Sequence, residues 1–202
     1  MKKKDKIDES LQQQLFKYQD KNYEKINNEL LKDTYQIYEK DNVGVKKSNV
    51  NGWHSKSFDL NDKDNVPNRF LNHINEHIKD VFQNYGWVFD ITKIKCTSFW
   101  AIINKKGNFN IEHTHSNNYL SAAYYVKAPQ NCGKFKASNP NIISRNIYPK
   151  STQSTELNSN TASIEIKDGD LIIFPAYLPH SVEENKSDED RVIVSFNLDI
   201  LR

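Results

Sequence analysis

Two of the six histidines in this chain stand two residues apart, within the stretch IEHTHSNNYLSAAYYV (residues 111–126). The stretch has the composition of a β-strand, and residues two apart in a strand project from the same face. His113 and His115 are therefore expected to point together, while Glu112 points the other way. Two imidazoles so placed can hold adjacent positions around a metal ion. They can equally be half-buried and hydrogen-bonded, or simply exposed.

A third histidine and an arginine follow in the segment GDLIIFPAYLPHSVEENKSDEDRVIVSFN (residues 169–197). His180 comes after an apolar, strand-like run, a position suited to a third metal ligand from the opposite sheet. Arg191 lies eleven residues further on (191 − 180) and opens the last apolar run. A guanidinium that enters an apolar strand is costly unless an anion meets it. A salt bridge to a carboxylate of the preceding loop is the alternative explanation for this arginine.

The elements before these motifs have helical patterns. Apolar residues recur at helical spacing in residues 20–41, and Asp20 is a plausible N-cap for that helix. A second amphipathic helix is predicted after Pro67 and should end near Gly86. The run LQQQLFKYQ (residues 11–19) fits an edge strand or a helix extension equally well.

The pattern of residue types changes near residue 91. Short β-branched and aromatic runs now alternate with Gly, Pro and Asn, namely ITKIKCTSFWAII, NFNIEH, YLSAAYYV, GKFKA, NIISRNIY, TASIEIK, DLIIFPA and RVIVSFNLDI. Many short strands with turns between them are typical of an antiparallel sandwich or barrel. The sequence therefore predicts one mainly β (α+β) domain over residues 1–202, a β jelly roll. Residues 1–90 would supply two supporting helices, and residues 91–202 the β core.

Composition restricts the partners and the compartment. A formal net charge of +2 gives no strong signal for nucleic acid. No apolar run is long enough to cross a bilayer, and the basic start is not followed by an apolar signal region, so no membrane partner is expected. Cys96 and Cys132 are isolated, which favours reduced thiols and a cytoplasmic location. The sequence leaves the oligomeric state undetermined.

Together, these motifs resemble a small group of iron(II)- and 2-oxoglutarate-dependent oxygenases known mostly from marine bacteria and phages. The group has a Trp-rich strand and a Gly before His-x-His, then a strand like LSGvyYl, a Gly-Asp-apolar-Phe-Pro run before a histidine, and a strand like RxSxSFN. The corresponding segments here are FWAIINKKGNFNIEHTH, YLSAAYYV, GDLIIFPAYLPH and RVIVSFN, with GWHS upstream at Gly52–Ser55. The resemblance runs from about residue 45 to the end and implies a double-stranded β-helix, the cupin-like form of the jelly roll.

This resemblance also implies an activity and a set of site residues. The activity is that of a dioxygenase, a hydroxylase that couples oxidative decarboxylation of 2-oxoglutarate by O2 to oxidation of an unknown substrate. Fe(II) would be held by His113, His115 and His180, with no catalytic residue beyond the metal centre. Arg191 would pair with the distal carboxylate of 2-oxoglutarate, and Tyr125 matches a tyrosine that binds the same carboxylate in prolyl-hydroxylase-like relatives. Further candidates for binding the co-substrate are Ser121, Asn104, Ser195 and Asn197.

Two positions depart from the better-known relatives. His115 stands where those enzymes have Asp or Glu, so a site of three neutral imidazoles would carry a charge of +2 rather than +1, with a different redox poise. Ile193 stands where many relatives have a serine that bonds the co-substrate carboxylate. Ser195 and Asn197 share the face of Arg191 and would compensate only in part.

Two other functions remain compatible with the sequence. One is a cupin-type dioxygenase with three histidines and no 2-oxoglutarate, in which Arg191 has no evident role. The other is a non-catalytic jelly-roll module with a structural metal, whose coordination would be closed. Of the remaining histidines, His54 follows Trp53 in a loop and could border a substrate opening, but it is not assigned to the site. His73 and His77 are expected on the surface of the second helix.

Overall fold

The computed structural model describes residues 15–87, 90–146, 149–153, 155 and 158–200. Eleven strands are found there: β1 (Phe16–Gln19), β2 (Asn49–Val50), β3 (Trp53–His54), β4 (Ile94–Asn104), β5 (Phe109–His113), β6 (Leu120–Lys127), β7 (Phe135–Ser138), β8 (Thr161–Ile164), β9 (Asp170–Pro175), β10 (His180–Val182) and β11 (Arg191–Ile200). The described helices are α1 (Tyr23–Lys40), α2 (Val66–His73), α3 (Asn75–Asn84) and α4 (Ile142–Asn146), with a 3-10 turn at Ile91–Lys93. None of the described helices combines the length and hydropathy needed to cross a bilayer.

The strands form two antiparallel sheets, as the sequence predicted for a mainly β jelly roll. One sheet has six strands in the order β1-β9-β6-β11-β4-β3, and the other has five in the order β2-β5-β10-β7-β8. Alternate residues of each central strand point to opposite faces of the six-stranded sheet and pack into two different hydrophobic clusters. In β4, Phe99, Ala101 and Ile103 pack beneath the helices, while Trp100 and Ile102 face the second sheet. The site residues therefore lie between the sheets, on the face away from the helices.

The first helix begins later than Asp20, so the prediction of Asp20 as its N-cap is wrong. Asn22 precedes the first turn and makes no capping hydrogen bond with its side chain. One carboxylate oxygen of Asp20 accepts the backbone N–H of Asn22 (2.9 Å), and the other contacts Nε2 of His73 (2.5 Å). Upstream, β1 pairs with β9 as an edge strand. Residues 11–14 of the ambiguous run lie outside the described residues.

The predicted second helix is two helices, α2 and α3, that meet at Ile74. Asn65 caps α2 by accepting the backbone N–H of Asn68 (2.9 Å), and Pro67 lies in its first turn. Ile74 has φ −94° and ψ 6°, which interrupts the helix without turning its apolar face away from the core. Gly86 follows α3 with φ +64°, a left-handed conformation that favours glycine. The support thus contains three helices instead of two.

One predicted strand is a short helix. The run NIISRNIY was expected to be a strand, yet residues 142–146 form α4, and residues 147 and 148 lie outside the described part of the chain. The side chain of Asn141 accepts the backbone N–H of Ile143 (3.0 Å), which starts a turn. Ile142 and Ile143 are 68% and 66% exposed. β-Branched composition predicted a strand, but no partner surface buries these side chains here.

Phe70 fixes the helical layer to the six-stranded sheet. It is fully buried, and its ring lies 4.6 Å from Tyr124, 5.9 Å from Phe99 and 6.0 Å from Phe196, measured between ring centroids. We expect Phe70→Ala to lower the free energy of unfolding by about 3–5 kcal/mol, because a large cavity would remain. Urea unfolding followed by circular dichroism measures this loss. His73→Ala, on the exposed side of the same helix, should cost less than about 1 kcal/mol. Equal losses of stability in Phe70→Ala and His73→Ala would contradict the role of Phe70 in fixing the helices to the sheet.

Candidate metal centre and cleft

The three predicted histidines meet at one point. The ligand atoms of His113, His115 and His180 all lie within 4.8 Å of one another. His113 and His180 are direct partners across β5 and β10, while His115 follows β5 and donates its backbone N–H to the carbonyl of Ala176 (2.8 Å). The third ligand therefore comes from the same sheet as His113. The expectation of the opposite sheet is wrong, because the turn after Pro175 carries the chain across before His180.

Backbone carbonyls orient two of the three rings. Nδ1 of His113 lies 2.8 Å from the carbonyl oxygen of Ile111, and Nδ1 of His180 lies 2.9 Å from that of Leu178. A carbonyl oxygen can only accept, so each Nδ1 carries a proton and each Nε2 keeps its lone pair. Such bonds fix both the tautomer and the ring orientation of a metal-binding histidine.

Burial keeps the three imidazoles neutral at pH 7. It lowers the pKa of His180 to about 3, with a smaller contribution from the nearby charge of His113. It lowers the pKa of His115 to about 4, again followed by the effect of His113. The pKa of His113 is also lowered, by burial. Neutral imidazoles are the form that binds a metal ion.

These lowered pKa values predict how the stability of the metal-free chain depends on pH. Each folded value lies below the unfolded value of about 6.5, so the unfolded chain binds more protons below that pH. Stability is therefore retained above about pH 6.5 and lost as the pH falls towards the folded values. We expect the urea midpoint to fall between pH 7 and pH 4.5, and to fall less in His180→Asn, because that variant removes one of these groups. If the urea midpoint of His180→Asn falls with pH as steeply as that of the wild type, carboxylates alone cause the loss of stability.

The histidines open into a cleft of about 660 Å³ between the sheets, a size typical of small-molecule sites. Trp100, Phe174 and Ile193 contribute to its apolar lining. Ser195 and Asn197 also line it, so the structure brings these two predicted residues to the same cleft as the triad. The amide nitrogen of Asn197 donates to the hydroxyl of Ser98 (2.9 Å), and its amide oxygen is buried without a partner.

Three of the remaining predicted residues lie in a buried polar pocket that adjoins the cleft without lining it. We use this name for Arg191, Tyr125 and Asn104, each at most 1% exposed, whereas Ser121, equally buried, lies further along β6 opposite Asn197 and Phe174. Arg191 and Asn104 are direct partners across β11 and β4, and burial lowers the pKa of Arg191 while the neighbouring Tyr125 opposes that shift. Ser121 lies on the same face of β6 as Tyr125, and its hydroxyl is unpaired.

Several polar atoms of this pocket have no hydrogen-bond partner in the part of the chain that the structure describes. Nη1 of Arg191 donates to the carbonyls of Cys132 and Glu183, the latter at 2.8 Å. Nε and Nη2 of the same guanidinium, the Tyr125 hydroxyl and both side-chain polar atoms of Asn104 are buried and unpaired. No carboxylate among the described residues pairs with Arg191, so a salt bridge to the preceding loop does not explain it. Buried polar atoms are rarely left unsatisfied in proteins.

Glu112 points away from the triad, as the strand alternation predicted. Its carboxylate accepts from the hydroxyl of Ser138 and from Nη2 of Arg145 (2.9 Å) on α4. The Ser138 hydrogen bond, followed by Arg145, lowers the pKa of this carboxyl in spite of partial burial. The carboxylate nearest to the histidines in sequence is therefore not available as a metal ligand.

His54 is the cleft residue that the sequence did not assign. It is 9% exposed and its ring is parallel to Trp100, with centroids 5.8 Å apart, while Trp100 in turn contacts His115 at 5.5 Å. Its neighbourhood in the GWHS motif was the available signal. His73 and His77 lie outside the cleft: His73 is on the surface, as expected, and His77 is half-buried against Tyr18 (4.5 Å).

Comparison with a collection of family models gives one match to the β core. Residues 98–197 match the family described as "Putative 2OG-Fe(II) oxygenase". The matched segment runs from β4 to β11 and contains the three histidines and Arg191. None of the curated proteins that were compared matches the chain.

Solved structures share the fold at low sequence identity. A Pseudomonas putida prolyl-4-hydroxylase is 10% identical, with a TM-score of 0.62 over 94% of this chain and 93% of its own. The viral collagen prolyl hydroxylase of Paramecium Bursaria Chlorella virus-1, in complex with 2-oxoglutarate, is 14% identical, with a TM-score of 0.59 over 92% and 95%. HygX of Streptomyces hygroscopicus, with nickel, 2-oxoglutarate and hygromycin B bound, is 10% identical, with a TM-score of 0.62 over 93% and 83%.

Proposed function

We propose that this chain, a member of the 2OG-Fe(II) oxygenase family over residues 98–197, is an Fe(II)- and 2-oxoglutarate-dependent dioxygenase that hydroxylates a small molecule bound in the cleft. The observation that carries the proposal is the presence, in one β core, of three convergent imidazoles and a buried guanidinium with two unpaired nitrogens. A metal site alone would account for the histidines and leave the guanidinium unexplained.

The donor set fits a catalytic metal site. Three neutral imidazoles, two of them with Nδ1 held by carbonyls, would hold Fe(II) through His113, His115 and His180. Three protein ligands leave coordination positions free for reactants, unlike a structural site with four. When bound, iron would bring O2 and 2-oxoglutarate together: 2-oxoglutarate would supply two electrons and take one oxygen atom as it becomes succinate and CO2, and the other oxygen atom would be available for an unactivated C–H bond.

The buried polar pocket fits the distal carboxylate of 2-oxoglutarate. Nε and Nη2 of Arg191 are unpaired and can donate in parallel to two carboxylate oxygens. The Tyr125 hydroxyl and the Asn104 amide would complete the polar surroundings of that group. Folding has already removed the Arg191 guanidinium from water, so a carboxylate that binds here adds only its own desolvation cost of several kcal/mol to the pairing.

The residues around the triad would position reactants and limit water. Phe174 and Phe135 pack against His180, at 4.5 Å and 5.5 Å between centroids, and hold its ring in place. Trp100 contacts His115 on the other side of the site. This apolar lining favours reaction in a partly dry cleft, which protects reactive species from side reactions.

We also propose a reducing compartment, the cytoplasm of a bacterium or of a phage-infected host. The support is the state of the two cysteines, because Cys96 and Cys132 are both free thiols in the structure. Disulfides are rare in such compartments. The rates of thiol modification in lysates prepared with and without reductant would test this assignment.

The test of the proposed function is anaerobic titration of the Fe(II)-loaded chain with 2-oxoglutarate, followed by admission of O2. A new visible charge-transfer band and subsequent formation of succinate would support the proposal. Iron binding without the band would favour a three-histidine dioxygenase that needs no co-substrate. Failure to bind Fe(II) at all would leave the non-catalytic binding module as the explanation.

A further inference from the structure

The cleft contains a cation and an imidazole that the proposed metal and co-substrate sites do not use. Both Lys47 and His54 line it. The backbone N–H of Ile111 donates to the carbonyl of Ser48 (2.9 Å), so Lys47 lies beside β5, the strand that carries His113. Lys47 is exposed and His54 is buried in the cleft wall, whereas Arg191 lies fully buried beyond the lining.

Lys47 has no anionic partner in the described part of the chain. The other lysine of the cleft lining, Lys56, forms an ion pair with Asp41 at 2.9 Å. No aspartate or glutamate is found among the described residues that line the cleft. The lining therefore has an excess of positive charge at Lys47, which attracts anions and disfavours cations.

His54 is held rigidly and has one free ring nitrogen. Its Nδ1 donates to the carbonyl of Ser55 (2.7 Å), and its ring is parallel to the Trp100 indole. Nε2 has no hydrogen-bond partner among the described residues, although the side chain is 91% buried (9% exposed) in the cleft wall. Burial is the largest effect on the pKa of His54 and lowers it. The hydrogen bond to Ser55 opposes this shift, and the charge of Lys47 adds to it. A neutral imidazole with this tautomer presents Nε2 as an acceptor.

We propose that Lys47 and His54 form the recognition site for the primary substrate, which is a small organic anion with an O–H or N–H group near its acidic group. The acidic group, a carboxylate or a phosphate, pairs with the Lys47 ammonium, and the O–H or N–H group donates to Nε2 of His54. The inference rests on the proposed function, because it names the substrate class of that reaction. The co-substrate carboxylate is not a competitor for this lysine, since the buried polar pocket contains its own cation, Arg191.

The test uses small probes on the full chain loaded with Zn(II) and saturated with 2-oxoglutarate. Acetate and acetamide have the same shape and differ in charge, and inorganic phosphate represents the other acidic group. The readout is the Cε1–H resonance of His54 in NMR, assigned with His54→Gln. We expect acetate and phosphate to shift this resonance saturably and acetamide to bind at least tenfold more weakly. The tighter of the two anions identifies the acidic group of the substrate.

Three lysine variants make the test specific. Lys47→Met should weaken acetate binding at least fivefold, Lys47→Arg should retain it, and Lys46→Met, next in sequence but outside the cleft lining, should leave it unchanged. Zn(II) and 2-oxoglutarate affinities should be the same in all three. Equal binding of acetate and acetamide, or no effect of Lys47→Met, would overturn the proposal. A loss of 2-oxoglutarate affinity in Lys47→Met would also overturn it, by assigning the lysine to the co-substrate.

Failure of the proposed function gives a different result. If the wild-type chain binds neither Zn(II) nor 2-oxoglutarate, the oxygenase assignment is wrong, and the same titrations are run on the metal-free chain. The Ser55 hydrogen bond of His54 and the position of Lys47 in the cleft lining involve no metal ligand. A saturable acetate shift that depends on Lys47 would then still support an anion site. Its absence would overturn that site as well.

Discussion

Replacing His180 by alanine is expected to abolish useful Fe(II) binding while the chain stays folded. His180 supplies one of three ligand atoms, and two imidazoles alone hold a divalent ion weakly. Losing a mere hydrogen-bond partner of a ligand commonly lowers metal affinity by about 10–100-fold, so loss of a ligand should lower it by at least ~100-fold. Isothermal titration with Co(II) or Mn(II) measures the affinity, and circular dichroism checks the fold.

Two further variants show whether the effect belongs to the site. His73→Ala removes an imidazole that pairs with Asp20 outside the cleft and should leave metal affinity unchanged. His115→Asp restores the two-histidine, one-carboxylate set of many non-haem iron enzymes, so we expect Fe(II) to remain bound. Retention of wild-type affinity by His180→Ala would show that the ion binds elsewhere. Equal losses in His73→Ala would point to a change in stability rather than in ligation.

The metal centre could be predicted because its signals are short in sequence. Alternation in a strand places His113 and His115 on one side, whatever the rest of the fold, and the structure confirms that they converge with His180. The same local rule placed Glu112 on the opposite side, where Arg145 and Ser138 bind it. Strand composition likewise predicted most of the β core, because central strands are buried on both faces.

The features that the sequence did not predict depend on contacts between distant segments. His54 enters the cleft only because β3 pairs with β4 and brings it against Trp100. Asp20 has the composition of an N-cap, yet its carboxylate is taken by Asn22 and by His73, 53 residues away. Residues 142–146 have the composition of a strand, but Ile142 and Ile143 are exposed. In each case a tertiary contact, or its absence, overrides local propensity.

Arg191→Met is expected to remove 2-oxoglutarate binding and leave metal binding intact. The substitution keeps an unbranched apolar side chain and removes the whole guanidinium, including the two nitrogens that have no protein partner. Truncating one partner of a buried charge pair costs about 2–5 kcal/mol, which is roughly a 30-fold or larger loss of affinity. Arg191→Lys keeps the positive charge but lacks the planar guanidinium, so its affinity for 2-oxoglutarate should lie between those of the wild type and Arg191→Met. The charge-transfer band of the anaerobic Fe(II) complex measures the affinity for 2-oxoglutarate. The matched control is Arg69→Met, because the guanidinium of Arg69 pairs with Glu29 on the surface.

The stability of these variants separates a binding role from a structural one. A guanidinium that mainly braces the fold through the carbonyls of Cys132 and Glu183 would make Arg191→Met unfold about 3–5 kcal/mol more easily, with co-substrate affinity unchanged in the surviving protein. A guanidinium kept for an anion is only half satisfied in the free chain, and an apolar replacement of similar volume is then close to neutral. We therefore expect Arg191→Met to change the free energy of unfolding without ligand by less than about 2 kcal/mol. The loss of two hydrogen bonds to carbonyls destabilises the variant, while removal of a buried charge stabilises it. In the wild type alone, 2-oxoglutarate should then raise the unfolding midpoint, because a ligand stabilises only the state that binds it.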